Sequence, residues 1–229
     1  MTDDGVRIQA RYFPEIFNVA DEKRAREIIL TSEGEGADSA TRWALETPYL
    51  IELIRSALRL RSDTIVLGCG IGRLAKAMID ATGCSVIGLD TSPSMRKLAQ
   101  DYVGSDRFIV ASPAQLDALV TAGLRVHAAI AVWVLQHCFS PADEIARIRR
   151  SLAAEGHCWV LNMPKRKIPV VREGMELRDG FCWASDGIDV AALLRAEFDV
   201  VAAGEPDNSR VPNMGDADAY WMSLRARGS

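Results

Sequence analysis

Three glycines and one aspartate pose the first chemical question. In the run VLGCGIGRLA, Gly68, Gly70 and Gly72 follow a short β-branched segment and lead into a helical pattern. Glycine lets a backbone turn tightly and lets a ligand lie against peptide N–H groups. The spacing is GxGxG. The fingerprint that seats a dinucleotide pyrophosphate, GxGxxG, would need a glycine where Arg73 stands. Asp90 ends the next strand-like run, VIGLD. In a parallel sheet that places it beside the first turn, where a carboxylate can accept two hydrogen bonds from ribose hydroxyls. Each feature alone also reads as a plain turn or a cap. Together, at this spacing, they point to a nucleoside site with no pyrophosphate to seat.

A second group follows the fourth strand-like run. His137, in WVLQHC, titrates near neutral pH when unperturbed. It reads either as a general base or substrate contact, or as a hydrogen-bonded residue that shapes its loop. Lys165, Arg166 and Lys167 stand between prolines. They read first as a solvated basic loop, and alternatively as a lure for an anionic substrate. His127, His137 and His157 lie far apart, and the five cysteines Cys69, Cys84, Cys138, Cys158 and Cys182 contain no CxxC. No metal site is expected from such spacing, and the odd, scattered cysteines fit a reducing compartment.

The elements that must position these groups alternate. Strand patterns at 64–67, 85–89, 108–110, 128–135 and 158–161 are separated by helical ones. Three of those helices open on Ser-Pro, at Ser92, Ser112 and Ser140, a capping residue followed by a first-turn proline. The helix from Ser140 is expected to run to near Gly156. Ser112-Pro-Ala-Gln115 has the form of a capping box. Apolar strands without alternation, interleaved with helices, predict a parallel sheet covered on both faces. A helix at 189–198 and two strands at 199–202 and 219–225, joined without a helix, predict an antiparallel pair at the end. Before the sheet lie an aperiodic stretch at 1–20, a short helix at 21–30, a polar loop at 32–39 and an amphipathic helix at 41–60.

Composition narrows the function. The 229 residues carry 27 Lys+Arg against 31 Asp+Glu, a net charge of −4, which disfavours a non-specific nucleic-acid binder. No apolar run approaches the roughly 20 residues of a membrane span. The amino terminus, MTDDGVRIQ, is acidic where a signal peptide needs positive charge. A cytoplasmic protein is expected, with its oligomeric state open.

Over about residues 62–162 the sequence resembles the class I S-adenosylmethionine-dependent methyltransferases. LGCGIGRLA matches their glycine loop, GLDTSPSMRKLA their ribose acid and the helix after it, and AAIAVWVLQHCFSPADEIARIRRSL their fourth-strand region. The resemblance implies an α/β, Rossmann-like, mostly parallel seven-stranded sheet with helices on both faces and an antiparallel C-terminal strand. It implies S-adenosylmethionine as cofactor and a small-molecule methyl acceptor. Gly68, Cys69 and Gly70 would underlie the cofactor, Asp90 would hold its ribose, and Thr91 and Met95 would flank its adenine. Ser112 and Pro113 stand where the family often has an acidic adenine contact. Val132 and Trp133 would lie near the methionine moiety. Arg42 and Arg73 could meet its carboxylate, and Tyr12 and Trp43 could face the sulfonium. His137 and Tyr12 are the candidate catalytic residues. Residues 1–60 would form an N-terminal helical lid, and 61–229 the methyltransferase domain with an acceptor-side insertion near 163–188. A nicotinamide-dependent oxidoreductase and a non-catalytic binder of the same cofactor are the rival readings.

Overall fold

The computed structural model of the protein describes residues 10–30, 38–58, 60, 63–172, 182–211 and 218–227. Most of the loop expected at 32–39 therefore lies outside the described residues, as does the middle of the 163–188 segment. The central sheet has seven strands: β2 (Thr64–Gly68), β3 (Ser85–Leu89), β4 (Phe108–Ala111), β5 (Val126–Val132), β6 (Leu152–Asn162), β9 (Phe198–Gly204) and β10 (Tyr220–Ala226). Their spatial order is β4-β3-β2-β5-β6-β10-β9. The first five are parallel, and β10 enters antiparallel between β6 and β9. The order reverses at β2, so its carboxyl end, with the glycines, faces the crevice where α/β sheets take ligands.

Helices cover both faces. On one face, α2 (Ser39–Leu58), α3 (Arg73–Thr82) and α4 (Pro93–Val103) pack on Ile65, Val86, Ala128, Ile130, Trp159 and Leu161. On the other, α5 (Pro113–Thr121), α6 (Pro141–Ser151) and α7 (Val190–Glu197) pack on Val66, Ile87, Ala129, Ala131 and Val160. Neighbours in sequence thus go to opposite faces, as a strand's two-residue period requires, and burial on both sides explains the unbroken apolar runs. α2 joins the core through Tyr49, Leu50, Ile51, Ile54 and Leu58. The shorter α1 (Glu22–Ile29), capped by Asp21, lies over the glycine turn, with Ala25, Ile28 and Ile29 clustered on Ile71 and Met95.

Three segments depart from expectation. α6 ends at Ser151 and passes directly into β6, well before Gly156. Leu152 is buried and pairs with Val126, and a bulge with Glu155 at φ 60° re-aligns the strand before His157. β5 runs from Val126 to Val132 and stops short of 135, because Trp133 takes φ 59° and turns the chain out of the sheet. A second sheet, β1-β7-β8, was not foreseen. β1 (Ala10–Tyr12) and β8 (Cys182–Ala184) flank β7 (Ile168–Arg172), all antiparallel. It ties the aperiodic amino terminus to the segment after β6.

Candidate functional site

The glycine turn and Asp90 meet as their spacing implies. The Gly70 N–H donates to Asp90 Oδ2 at 3.1 Å, and the Ser92 N–H donates to Oδ1 at 2.8 Å. Burial pushes the Asp90 carboxyl up to about 6 against these backbone donors. Each oxygen keeps acceptor capacity for a further donor. Gly70 adopts φ 51°, a conformation costly for a residue with a Cβ, and an added Cβ would lie 2.7 Å from Ile29 Cδ1. An added Cβ at Gly68 would lie 2.6 Å from Val134 Cγ2. The turn is therefore a narrow cradle with peptide groups for a floor and α1 for a roof. Met95 is buried beneath α1, Thr91 is exposed, and the buried Cys69 thiol is pushed well up by desolvation.

Ser112 does what its sequence says as a cap. Its hydroxyl accepts from Gln115 N, and Gln115 Oε1 accepts from Ser112 N at 2.7 Å, with Pro113 in the first turn.

Trp133 directly follows β5, and its backbone N–H donates to the Leu161 carbonyl of β6. Its indole N–H donates to Glu46 Oε1 at 3.2 Å. Glu46, fully buried on α2, also accepts from Arg42 Nη2 and Arg73 Nη2, each at 3.1 Å. Two guanidinium groups and one carboxylate thus sit together at the start of α3, beside the glycine turn. Burial lowers the Arg73 pKa, and Glu46 acts against that shift. Glu46 is the site residue that sequence reasoning missed. Its signal was present: it falls on the same helical face as Tyr49, Leu50 and Leu53, where an ionised group needs partners. Trp43 packs between Arg26, whose guanidinium lies 4.3 Å from the ring centroid, and the edge of Tyr102. It belongs to the cluster beneath α1, with Ile71 and Met95.

The two catalytic candidates, 125 residues apart in sequence, adjoin at the same edge. The Tyr12 hydroxyl donates to the His137 carbonyl at 3.4 Å, and burial raises the phenol to about 12. His137 Nδ1 lies 2.6 Å from the Lys167 carbonyl, an acceptor only, so this nitrogen carries the proton. Nε2 then accepts from Gln136 Nε2 at 3.2 Å. Desolvation pushes the imidazole down to about 4, against the hydrogen bond to the Lys167 carbonyl and with the help of the Lys167 and Arg166 charges. Gln136 and Asn162, both buried, lock the tips of β5 and β6: Gln136 N donates to Asn162 Oδ1, and Met163 N to Gln136 Oε1. The His137 ring packs against Trp183 and Phe17, with centroids 5.2 Å and 5.8 Å away, and Tyr12 packs on Phe139 with their centroids 5.2 Å apart.

The basic run at 165–167 is not the solvated loop expected of it. Lys165 is exposed, but Arg166 is buried and binds Asp186 and the carbonyls of Cys138 and Phe139. Lys167 N donates to the Gln136 carbonyl. The run braces the His137 loop against the second sheet. Among the described residues, no group of three or more His, Cys, Asp or Glu side chains is arranged to hold a metal ion.

A parallel sheet with a glycine turn at its point of reversal, and an acid on the next strand facing that turn, defines a Rossmann-like nucleoside-binding class. Residues 65–160, under half of the chain, match the family model described as a methyltransferase domain. Over that span the chain is similar to a methyltransferase domain. No curated protein matches the chain by sequence. Among solved structures, the PH0226 protein of Pyrococcus horikoshii OT3 is similar, with 19% identity, a TM-score of 0.59, and coverage of 91% of this chain and 100% of that one. The N-methyltransferase NodS of Bradyrhizobium japonicum WM9, in complex with S-adenosyl-L-homocysteine, is 14% identical, with a TM-score of 0.55 and coverage of 90% and 98%. The cyclase SpnF is 18% identical, with a TM-score of 0.58 and coverage of 87% and 86%. At these identities the likeness is one of fold, and one fold hosts several chemistries.

Proposed function

We propose that the protein transfers a methyl group from S-adenosylmethionine to a small-molecule acceptor by direct displacement. The single observation that carries this reading is the Asp90 carboxylate turned onto the Gly70 N–H at the point where the sheet order reverses. The residues fit the cofactor: free lone pairs on Asp90 suit two ribose hydroxyls, the glycine cradle excludes a Cβ, and Arg42 and Arg73 give positive charge where the amino-acid end would lie. When bound, the cofactor supplies an electrophilic methyl on a sulfonium.

The chain's own contribution is orientation and exclusion of water. Trp133, held by Glu46, would form one wall of the reacting cleft, and Tyr12, Phe17 and Trp183 would line the acceptor side. His137 has both ring nitrogens engaged and a depressed pKa, so we assign it to positioning that wall. Direct displacement between aligned partners gains much of its rate from orientation, so a dedicated base is not required. Arg73 in place of the third glycine, and the inserted antiparallel β10, favour this reading over nicotinamide chemistry. Residues 1–60 and 163–188 are proposed to cover the cofactor and acceptor. A cytoplasmic setting is supported by the five free cysteines. No helix among the described residues is long and apolar enough to cross a membrane.

Calorimetric titration tests the reading. Saturable binding of S-adenosyl-L-homocysteine, without binding of NAD, is expected. Binding of NAD alone would overturn it. Transfer of a labelled methyl to members of an acceptor panel would then separate an enzyme from a silent binder.

A further inference from the structure

The opposite edge of the sheet holds a second, unrelated site. A hollow of about 520 Å³ is lined by Val120, Thr121, Leu152 and Ala154, and by four arginines: Arg125, Arg149, Arg150 and Arg227. That volume is of the size that holds a small organic molecule. The arginines come from three separate places: the turn after α5, the last turn of α6, and the end of β10. A chain of net charge −4 has thus gathered four guanidinium groups around one depression.

Their partners do not consume them. Arg150 meets Asp117 at 3.5 Å, and Asp117 is shared with Arg147. Arg227 pairs through Nε with Asp199 at 3.1 Å and gives Nη1 and Nη2 to the carbonyls of Ala196 and Arg195, which leaves one N–H on each Nη. Arg125 and Arg149 have no ion pair among the described residues. Arg125 gives Nη1 to the carbonyls of Val120 and Leu124, and Arg149 gives Nη2 to the carbonyl of Arg227. Those carbonyl bonds tether the two side chains, the one to Val120 at the carboxyl end of α5. They use only part of a five-donor fork, so Nε and the second Nη of each remain available. Tethered forks with spare paired donors match phosphate and carboxylate oxygens.

We propose that this hollow binds a small molecule carrying at least two anionic groups, phosphate or carboxylate, at a site separate from the methyl-transfer cleft. Closely spaced negative charges are favoured over one, because two unmatched arginines, and two more only partly matched, surround the same space. A half-open hollow of this size, with its arginines grouped around one space and not strung along a groove, favours a small molecule over an extended acidic chain.

The test is calorimetric titration of the full chain at low ionic strength, with inorganic pyrophosphate as the phosphate probe and citrate as the carboxylate probe. Saturable binding of at least one probe, weakened by added salt, is expected. The pair Arg125→Gln and Arg149→Gln should lose about tenfold or more in affinity, the scale of removing charge-assisted bonds. It should keep the wild-type melting temperature within a few degrees. Asp117→Asn removes the acid facing Arg150 and should tighten binding, a gain that impaired folding cannot produce. Absence of saturable binding to the wild type, or equal affinity in the double variant, would overturn the proposal. So would tighter binding of an oligoglutamate peptide than of either probe, which would make the hollow a dock for an acidic segment.

Discussion

Glu46 accepts the indole N–H of Trp133 across 87 residues of sequence, and this bond joins the amino-terminal helix α2 to the strained tip of β5. Trp133 holds φ 59°, a conformation that costs of order 1–3 kcal/mol and persists only when its surroundings enforce it. Glu46 is part of that enforcement, and it also ion-pairs with both Arg42 and Arg73. Replacing it with alanine leaves two buried guanidinium groups without their carboxylate. Glu46→Ala is expected to destabilise the fold by about 3–5 kcal/mol, the usual cost of breaking a buried pair. Denaturant unfolding followed by tryptophan fluorescence measures this, and a loss under 1 kcal/mol would remove Glu46 from its organising role.

Asp90 should make cofactor affinity depend on pH. Its folded pKa stands near 6, and the ionised form, acceptor on both oxygens, binds two hydroxyls more strongly than the protonated one. Affinity for S-adenosyl-L-homocysteine is expected to rise from pH 5 to pH 7 and then level off. Asp90→Asn should bind more weakly, by about tenfold, and should lose that pH dependence. A wild-type affinity that is flat across this range, measured by calorimetry, would detach Asp90 from the sugar.

Most of the fold could be read in the chain, and the reasons are local. The strands at 64–67 and 85–89 are short apolar runs fenced by turn residues, and the side-chain caps expected at Ser92 and Ser112 form, while Ser140 opens its helix without a capping side-chain bond. What escaped was set by distant pairing. Ile168–Arg172 becomes a strand because Ala10–Tyr12 pairs with it, and no pattern in either segment encodes the other. Arg166 looked like part of a solvated basic run, yet it is buried by carbonyls 27 and 28 residues earlier in the chain. In the site, the glycine turn and Asp90 were legible because twenty residues of regular βα structure separate them. The Glu46 cluster depends on how α2 docks, and sequence supplied only its amphipathic face.

Asp90 and His137 should pull acid stability in opposite directions. For Asp90, the folded pKa of about 6 lies above the ordinary carboxyl value, so the folded state holds the proton more tightly and stability falls as pH rises from about 4 to 6. For His137, the folded pKa of about 4 lies below the ordinary imidazole value, so the unfolded state binds the proton and stability rises with pH over about 4 to 6.5. Relative to wild type, Asp90→Asn should therefore steepen the gain in stability from pH 4 to 6, and His137→Asn should turn it toward a loss. Denaturant midpoints of the three proteins across this range decide the point. Two variants shifting the slope in the same sense would contradict the assignments.

Gly70 should be intolerant for two separable reasons. Alanine there must hold φ 51°, and its Cβ meets Ile29 Cδ1 at 2.7 Å. The backbone cost is of order 1 kcal/mol, while the contact acts on α1. Gly70→Ala is expected to lower stability and also to loosen α1, seen as faster amide exchange over Glu22–Ile29. In the double variant Gly70→Ala, Ile29→Ala, the space above the new methyl returns, and part of the lost protection should return with it. A double variant no better protected than Gly70→Ala would show that backbone strain alone accounts for the defect.

Activity supplies the test of what His137 does. An imidazole already neutral above about pH 5 cannot give the rate a rising limb near neutrality, and its ring is held from both sides by Lys167 and Gln136. With an acceptor in hand, kcat/KM of the wild type should show no titration between pH 6 and 8 that His137→Asn removes. The substitution keeps a polar side chain but loses the ring that packs against Phe17 and Trp183, so its effect should fall on acceptor KM more than on kcat. A general base would give the opposite pattern, a fall in kcat of about 100-fold or more together with loss of a limb near neutral pH. That result would move His137 from the wall of the cleft to its chemistry.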